Sequence, residues 1–89
     1  MPRHGRRVIC LQDAQIYDSL TIAAGSVPAA SPAGIQRCCT GERNFSGGRS
    51  WRYLDDIVGR YAGQLTLREM CDRELAAIAL QVVYNGGVK

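Results

Sequence analysis

Four arginines, Arg37, Arg43, Arg49 and Arg52, fall within the 23 residues from Ser31 to Tyr53. A guanidinium carries its donors in a fixed fork that fits two oxygens of a phosphate, or the acceptor edge of guanine, with paired hydrogen bonds. Ser31, Gln36, Thr40 and Asn44 lie among these arginines. Gln offers the two-point match to adenine and Arg the match to guanine, so Gln36 or Arg37 could read base edges. Ser31, Thr40, Arg43, Asn44, Arg49 and Arg52 are the candidates for holding phosphates and fixing register. The charge is placed accordingly. Of a net +3, residues 31–53 hold four cations against the single Glu42, residues 1–30 are +1, and residues 54–89 are −1. Ten of the eleven basic residues are arginine. That excess fits phosphate recognition, and it fits a GC-rich genome equally.

Other reactive side chains suggest little catalysis. Cys10, Cys38, Cys39 and Cys71 lack the spaced pairs of a zinc site or a disulfide framework, and the adjacent Cys38 and Cys39 diverge around a helix and would chelate one metal poorly. Reduced, buried thiols are expected, although Arg37 could activate Cys39. The single histidine, His4, sits in the basic N-terminal run MPRHGRR, and no histidine is placed to serve a cysteine as base. Asp55-Asp56 without further ligands reads as a solvated turn or helix start. A non-enzyme with no cofactor and no metal is the expectation.

These residues need a scaffold. At 89 residues the chain has room for one modest core. Residues 1–7 read as a flexible basic arm. Val8-Ile9-Cys10-Leu11 and Ile16-Tyr17 read as two short strands with a tight turn between them. Asp18 or Ser19 is a helix N-cap ahead of Leu20 to Ala24, and Gly25 with Pro28 ends that helix. Ser31-Pro32 opens a second helix, and Thr40-Gly41 closes it with a glycine suited to the left-handed conformation. In that helix Ile35, Cys38 and Cys39 share an inward face, leaving Ala33, Gln36, Arg37 and Thr40 outward. The pair has the outline of a helix-turn-helix, whose second helix can enter a major groove. Gly47-Gly48 permits a sharp turn, and Ser50 to Leu54 alternates as a return strand with Trp51 inward. Residues 55–65 read as a linker containing at most a short helical turn. Thr66 and Glu69 form a capping box before a helix over 67–84, whose apolar stripe packs on the domain or on a partner. The fold class is α+β: a short hairpin, a helix-turn-helix-like pair and a return strand over residues 8–54, then a C-terminal amphipathic helix within 66–85.

The order Val8-Ile9-Cys10-Leu11, Ile16-Tyr17-Asp18-Ser19, Ala23-Ala24, Val27, Ser31, Gly34-Ile35, Cys38-Cys39, Gly41, Gly47-Gly48 and Trp51-Arg52-Tyr53 resembles the intron-encoded-nuclease repeat. That repeat is the modular DNA-binding unit found at the ends of phage and intron homing endonucleases. The likeness covers residues 8–53, and its most telling portion is I-x-x-C-C-x-G followed by G-G and W-R-Y. The chain departs from the family at GSVPAA between Ala24 and Ser31, and at Glu42, where a basic residue is common. Neither nuclease signature of those enzymes is present.

The resemblance and the basic centre together imply a small, non-catalytic DNA-binding protein of the phage or mobile-element type, with double-stranded DNA as partner. Two alternatives belong to other classes. One is a protein-binding inhibitor of a host defence nuclease, as anti-CRISPR proteins are; the other is a transcriptional regulator that dimerises through Leu67, Cys71, Leu75, Ile78 and Val82. No apolar run reaches the roughly 18 to 20 residues a spanning helix needs, so no membrane role is expected. Gln12 and Asp13 interrupt the first apolar stretch too early for a signal peptide, which makes cytoplasmic residence the expectation.

Overall fold

The computed structural model describes residues 6–87, with side chains through Val82. The chain folds as an α+β domain in the order β1 (Val8–Cys10), β2 (Gln15–Tyr17), α1 (Leu20–Ser26), α2 (Pro32–Thr40), β3 (Trp51–Tyr53), α3 (Leu54–Tyr61) and α4 (Leu67–Gly87). The three strands form one antiparallel sheet in the order β2-β1-β3, with Ile9 opposite both Ile16 and Arg52.

The unbroken apolar run from Val8 to Leu11 follows from the position of β1 in the middle. Val8 and Cys10 pack with Ala23, Val27, Ile35, Cys38, Trp51 and Tyr53, on the face covered by α1 and α2. Ile9 and Leu11 point the other way, to Ile57, Met70, Cys71 and Ile78 of α3 and α4. A strand covered on both faces needs apolar residues at every position, not at alternate ones. Trp51 is fully buried, and its indole Nε1 donates to the Ser46 carbonyl at 3.1 Å. Truncating such a side chain to alanine costs about 4 kcal/mol.

Local signals place the helix ends. Ser19 Oγ accepts from the Ile22 amide at 3.1 Å, and Ser31 Oγ accepts from the Gly34 amide at 3.0 Å. Each satisfies one of the amides a first helical turn leaves open. Gly41, at φ 91°, returns its amide to the Arg37 and Cys38 carbonyls and closes α2. At the start of α4 the capping box is reciprocal: the Thr66 amide donates to Glu69 Oε1 at 2.8 Å, and the Glu69 amide donates to Thr66 Oγ1 at 3.2 Å.

Three expectations are corrected. Much of the stretch taken as a linker is α3, which begins directly after β3. Leu54, Ile57 and Tyr61 recur at helical spacing and pack into the core, while Asp55 and Asp56 sit in the first turn, where the helix dipole favours negative charge. Secondly, Arg6 and Arg7 are fixed and not part of a loose arm. Arg6 donates to Asp55 and Asp56 at 2.8 Å each and lies 3.9 Å from the Tyr53 ring centroid, and the Arg7 carbonyl accepts from the Leu54 amide. The rest of that arm, including His4, lies outside the described residues. Thirdly, α4 runs on to Gly87, and of the two packings open to its stripe the one within the chain is found: Met70, Cys71, Glu74 and Ile78 are buried.

Candidate nucleic-acid interface

Helix α2 carries the centre of the candidate surface. Its inward residues Ile35, Cys38 and Cys39 are buried, and Ala33, Gln36, Arg37 and Thr40 are exposed on the opposite side. The spacing that the core demands of one face therefore collects the polar residues on the other. Gln36 lies beside the Tyr53 side chain. Arg37 makes no ion pair among the described residues. Thr40 uses its hydroxyl locally, its one proton shared between the Arg37 carbonyl at 3.2 Å and Glu42 Oε2 at 3.4 Å.

The loop after α2 folds back toward the start of the same helix. The Arg43 amide donates to the Arg37 carbonyl at 3.2 Å, and Gly47 and Gly48, at φ 63° and 76°, form a two-residue turn closed by reciprocal bonds between Ser46 and Arg49. Two successive positive φ values suit glycine and match a tight hairpin turn. Gly47 also lies against the α1–α2 connection: a Cβ there would fall 2.9 Å from Ala30 Cβ and 3.0 Å from Val27 Cγ1. The GSVPAA stretch is thus a packed support for this loop. It turns with Pro28 followed by Ala29 at φ 71°, and the Ala30 amide donates to the Val27 carbonyl.

Among the predicted contacts, some are available and others are spent on the fold. Arg43 is exposed and makes no ion pair among the described residues, Asn44 is half-buried with its carbonyl accepting from Ser50 Oγ, and the Ser31 hydroxyl caps α2. Arg49 donates to Asp13 at 3.0 Å and fixes the β1–β2 turn. Arg52 is withdrawn from solvent. Its Nε donates to Glu74 Oε1 at 2.9 Å and its Nη1 to the Cys38 and Trp51 carbonyls at 3.1 and 2.8 Å, so it joins α2, β3 and α4. Strand alternation explains the difference: with Trp51 and Tyr53 on the α2 side, Arg52 projects to the α4 side, where buried Glu74 requires a cation. Phe45, between Asn44 and Ser46, is 44% exposed and gives the loop an aromatic surface.

Thiol chemistry is suppressed at α2. Burial, reinforced by neighbouring Cys38, pushes the Cys39 pKa up to about 12, and the nearby arginines do not offset it. Arg37 points to the other side of the helix and does not activate this thiol. Asp55 and Asp56 face Arg6, and the described residues contain no group of three or more His, Cys, Asp or Glu able to hold a metal ion. Nor is any helix among them long and apolar enough to cross a membrane.

Two contributors escape notice in the sequence. Gly34 and Ser46 are both buried and touch each other, with a Cβ on Gly34 falling 2.6 Å from Ser46 Oγ. The only hint is a glycine inside a helical pattern, which commonly marks close packing. No protein-family model, curated protein or solved structure matches the chain.

Proposed function

We propose that the chain is a small non-catalytic DNA-binding protein of the phage or mobile-element type, which presents α2 to the major groove of duplex DNA. The observation that carries this reading is the pairing state of the central arginines. Arg37 and Arg43 are exposed and, among the described residues, held by no carboxylate, whereas Arg49 and Arg52 are held by Asp13 and Glu74. Unpaired guanidiniums at the two sides of an exposed helical face are available to phosphate without first breaking an internal bond. Gln36 and Arg37 are placed on that face to meet base edges, Arg43 to meet the backbone, and Phe45 to offer a stacking surface. The resemblance of residues 8–53 to the intron-encoded-nuclease repeat supports the same use, and the reading requires no cofactor. A cytoplasmic location goes with it. The test is the binding of random-sequence duplex DNA across a salt series, with wild-type protein against Arg37→Ala.

A second reading, a dimeric regulator, is favoured by the far half of α4. Leu75 to Val82 carries no charge, and Leu80 is 73% exposed. Cys71 and Ile78 are buried within the chain, so a dimer would use the side of α4 bearing Ala76, Ala77 and Leu80.

A further inference from the structure

We propose that the exposed side of α4 binds a second copy of this chain as an antiparallel helix pair, in which Glu69 of each copy meets Arg73 of the other. Cys71, Glu74 and Ile78 face the core, so the opposite side carries Glu69, Asp72, Arg73, Ala76 and Leu80, all of them exposed. Glu69, Arg73, Ala76 and Leu80 follow one another at spacings of four, three and four residues, which keeps them on one seam of a helix. Leu80 is the most exposed large apolar side chain among the described residues, at 73%.

The two ends of this seam are complementary. At the near end Leu65, Glu69, Asp72, Arg73 and Ala76 line a depression of about 200 Å³, to which the half-buried Leu65 gives an apolar wall. At the far end Leu80 projects into solvent. The two lie about 22 Å apart along one chain, so a chain cannot fill its own depression with its own leucine. A second copy running the other way can.

The charges set the direction. Positions 69 and 73 are equally far from position 71, so a two-fold axis at the level of Cys71 places Glu69 against the partner's Arg73, and Arg73 against the partner's Glu69. A parallel pair would bring like charges together instead. Arg68 and Asp72, along one flank of the seam, repeat the pattern of opposite signs about nearly the same level. Arg73 makes no ion pair among the described residues, and Glu69 gives one carboxylate oxygen to the Thr66 amide and keeps the other. In the same register Ala76, Ala77 and Leu80 run along the start of the partner's α4 and reach the partner's Leu65. The two alanines let the helix backbones approach there. A second copy thus supplies both the apolar and the charged complement, whereas the uncharged stretch from Leu75 to Val82 offers a phosphate backbone nothing to hold.

The overlap from Leu65 to Leu80 is about 24 Å long, which makes a small interface and a dimer with a roughly micromolar dissociation constant. This pairing gives the dimeric reading, on which it rests, its surface and register. It is independent of DNA binding.

The test is sedimentation equilibrium of the whole chain from micromolar to millimolar concentration. Wild type is expected to pass from monomer to dimer. Leu80→Asp and Arg73→Glu should each weaken association about tenfold or more, with the circular dichroism and melting temperature of the dilute monomer unchanged, because both side chains stand in solvent. Glu69→Lys should also weaken it, with some loss of helix capping. Mixing Glu69→Lys with Arg73→Glu should restore the dimer, since the mixed pair again sets opposite charges across the axis. Wild type that stays monomeric throughout overturns the proposal and the dimeric reading together. A wild-type dimer that Leu80→Asp and Arg73→Glu leave intact, or two variants that fail to associate when mixed, overturns the α4 pairing and leaves the dimeric reading to another surface.

Discussion

Arg52 Nε donates to Glu74 Oε1 across 2.9 Å, tying the strand that ends the basic stretch to the middle of α4. Glu74 also accepts from Arg60 at 2.6 Å and from the Tyr61 hydroxyl at 2.8 Å. One buried carboxylate thereby gathers β3, α3 and α4. Burial pushes its pKa up, but the bonds from Arg60, Tyr61 and Arg52 outweigh burial and hold it below its ordinary 4.5.

Removing this carboxylate leaves Arg52 partly buried and unpaired. Glu74→Gln should cost about 3 kcal/mol at neutral pH, the low end for breaking a buried pair because Arg60 is half in solvent. A depressed carboxylate contributes stability above its unfolded value and loses it as the pH falls through the folded value. The difference between wild type and Glu74→Gln should therefore be largest near neutrality and shrink below about pH 4.5. Urea unfolding at several pH values checks both size and direction; a gap that grows on acidification would contradict the assignment.

Arg52→Ala separates structure from recognition. Because its guanidinium also holds the Cys38 and Trp51 carbonyls, the variant should lose about 2 kcal/mol of stability. At temperatures where it remains folded, its affinity for duplex DNA should match wild type within about twofold. A large affinity loss in a folded Arg52→Ala protein would show that this residue reaches DNA after all.

The thiols should be silent in the folded state. All four cysteines are free and buried, and with Cys39 pushed up to about 12 almost none of it is thiolate at pH 8. A disulfide-exchange reagent should find no fast-reacting thiol in native protein and all four after unfolding. A rapid single equivalent from native protein would mean that one thiol is open to solvent.

How the sequence declared itself differs from element to element. The helix ends were legible because caps are local: Ser31-Pro32, Gly41 and the Thr66–Glu69 box each act within a turn of their own position. Trp51 was legible as core from strand alternation alone. The double burial of β1 was less so, since Val8 to Leu11 is an apolar run whichever layers cover it. Helix α3 was hidden by Gly59 and Gly63, which made its stretch read as a linker although Leu54, Ile57 and Tyr61 hold it to the core. The fates of the arginines were not legible at all. Whether Arg52 meets solvent or Glu74 is decided by a partner 22 residues away, and no local pattern carries that information.

Backbone conformation around the loop gives a paired expectation. Gly47→Ala places a methyl group on Ala30 at positive φ and should cost about 2 kcal/mol. Ala29→Gly relieves a left-handed alanine and should gain about 0.5 kcal/mol after the entropic cost of glycine. Thermal unfolding of both variants checks the pair, and a stabilised Gly47→Ala would refute the close approach of the turn to Ala30.

The most direct test of the central claim is the salt dependence of duplex binding, followed by fluorescence anisotropy for wild type, Arg37→Ala and Arg43→Ala. Each lost phosphate contact lowers the slope of log affinity against log salt by about one, and a lost base contact costs about 1–3 kcal/mol. The account predicts tight binding at low salt, a flatter slope for Arg43→Ala, and weaker binding for Arg37→Ala, with all three proteins equally stable. Affinities and slopes that are the same for the two variants as for wild type, or no duplex binding by wild type at low salt, would contradict it.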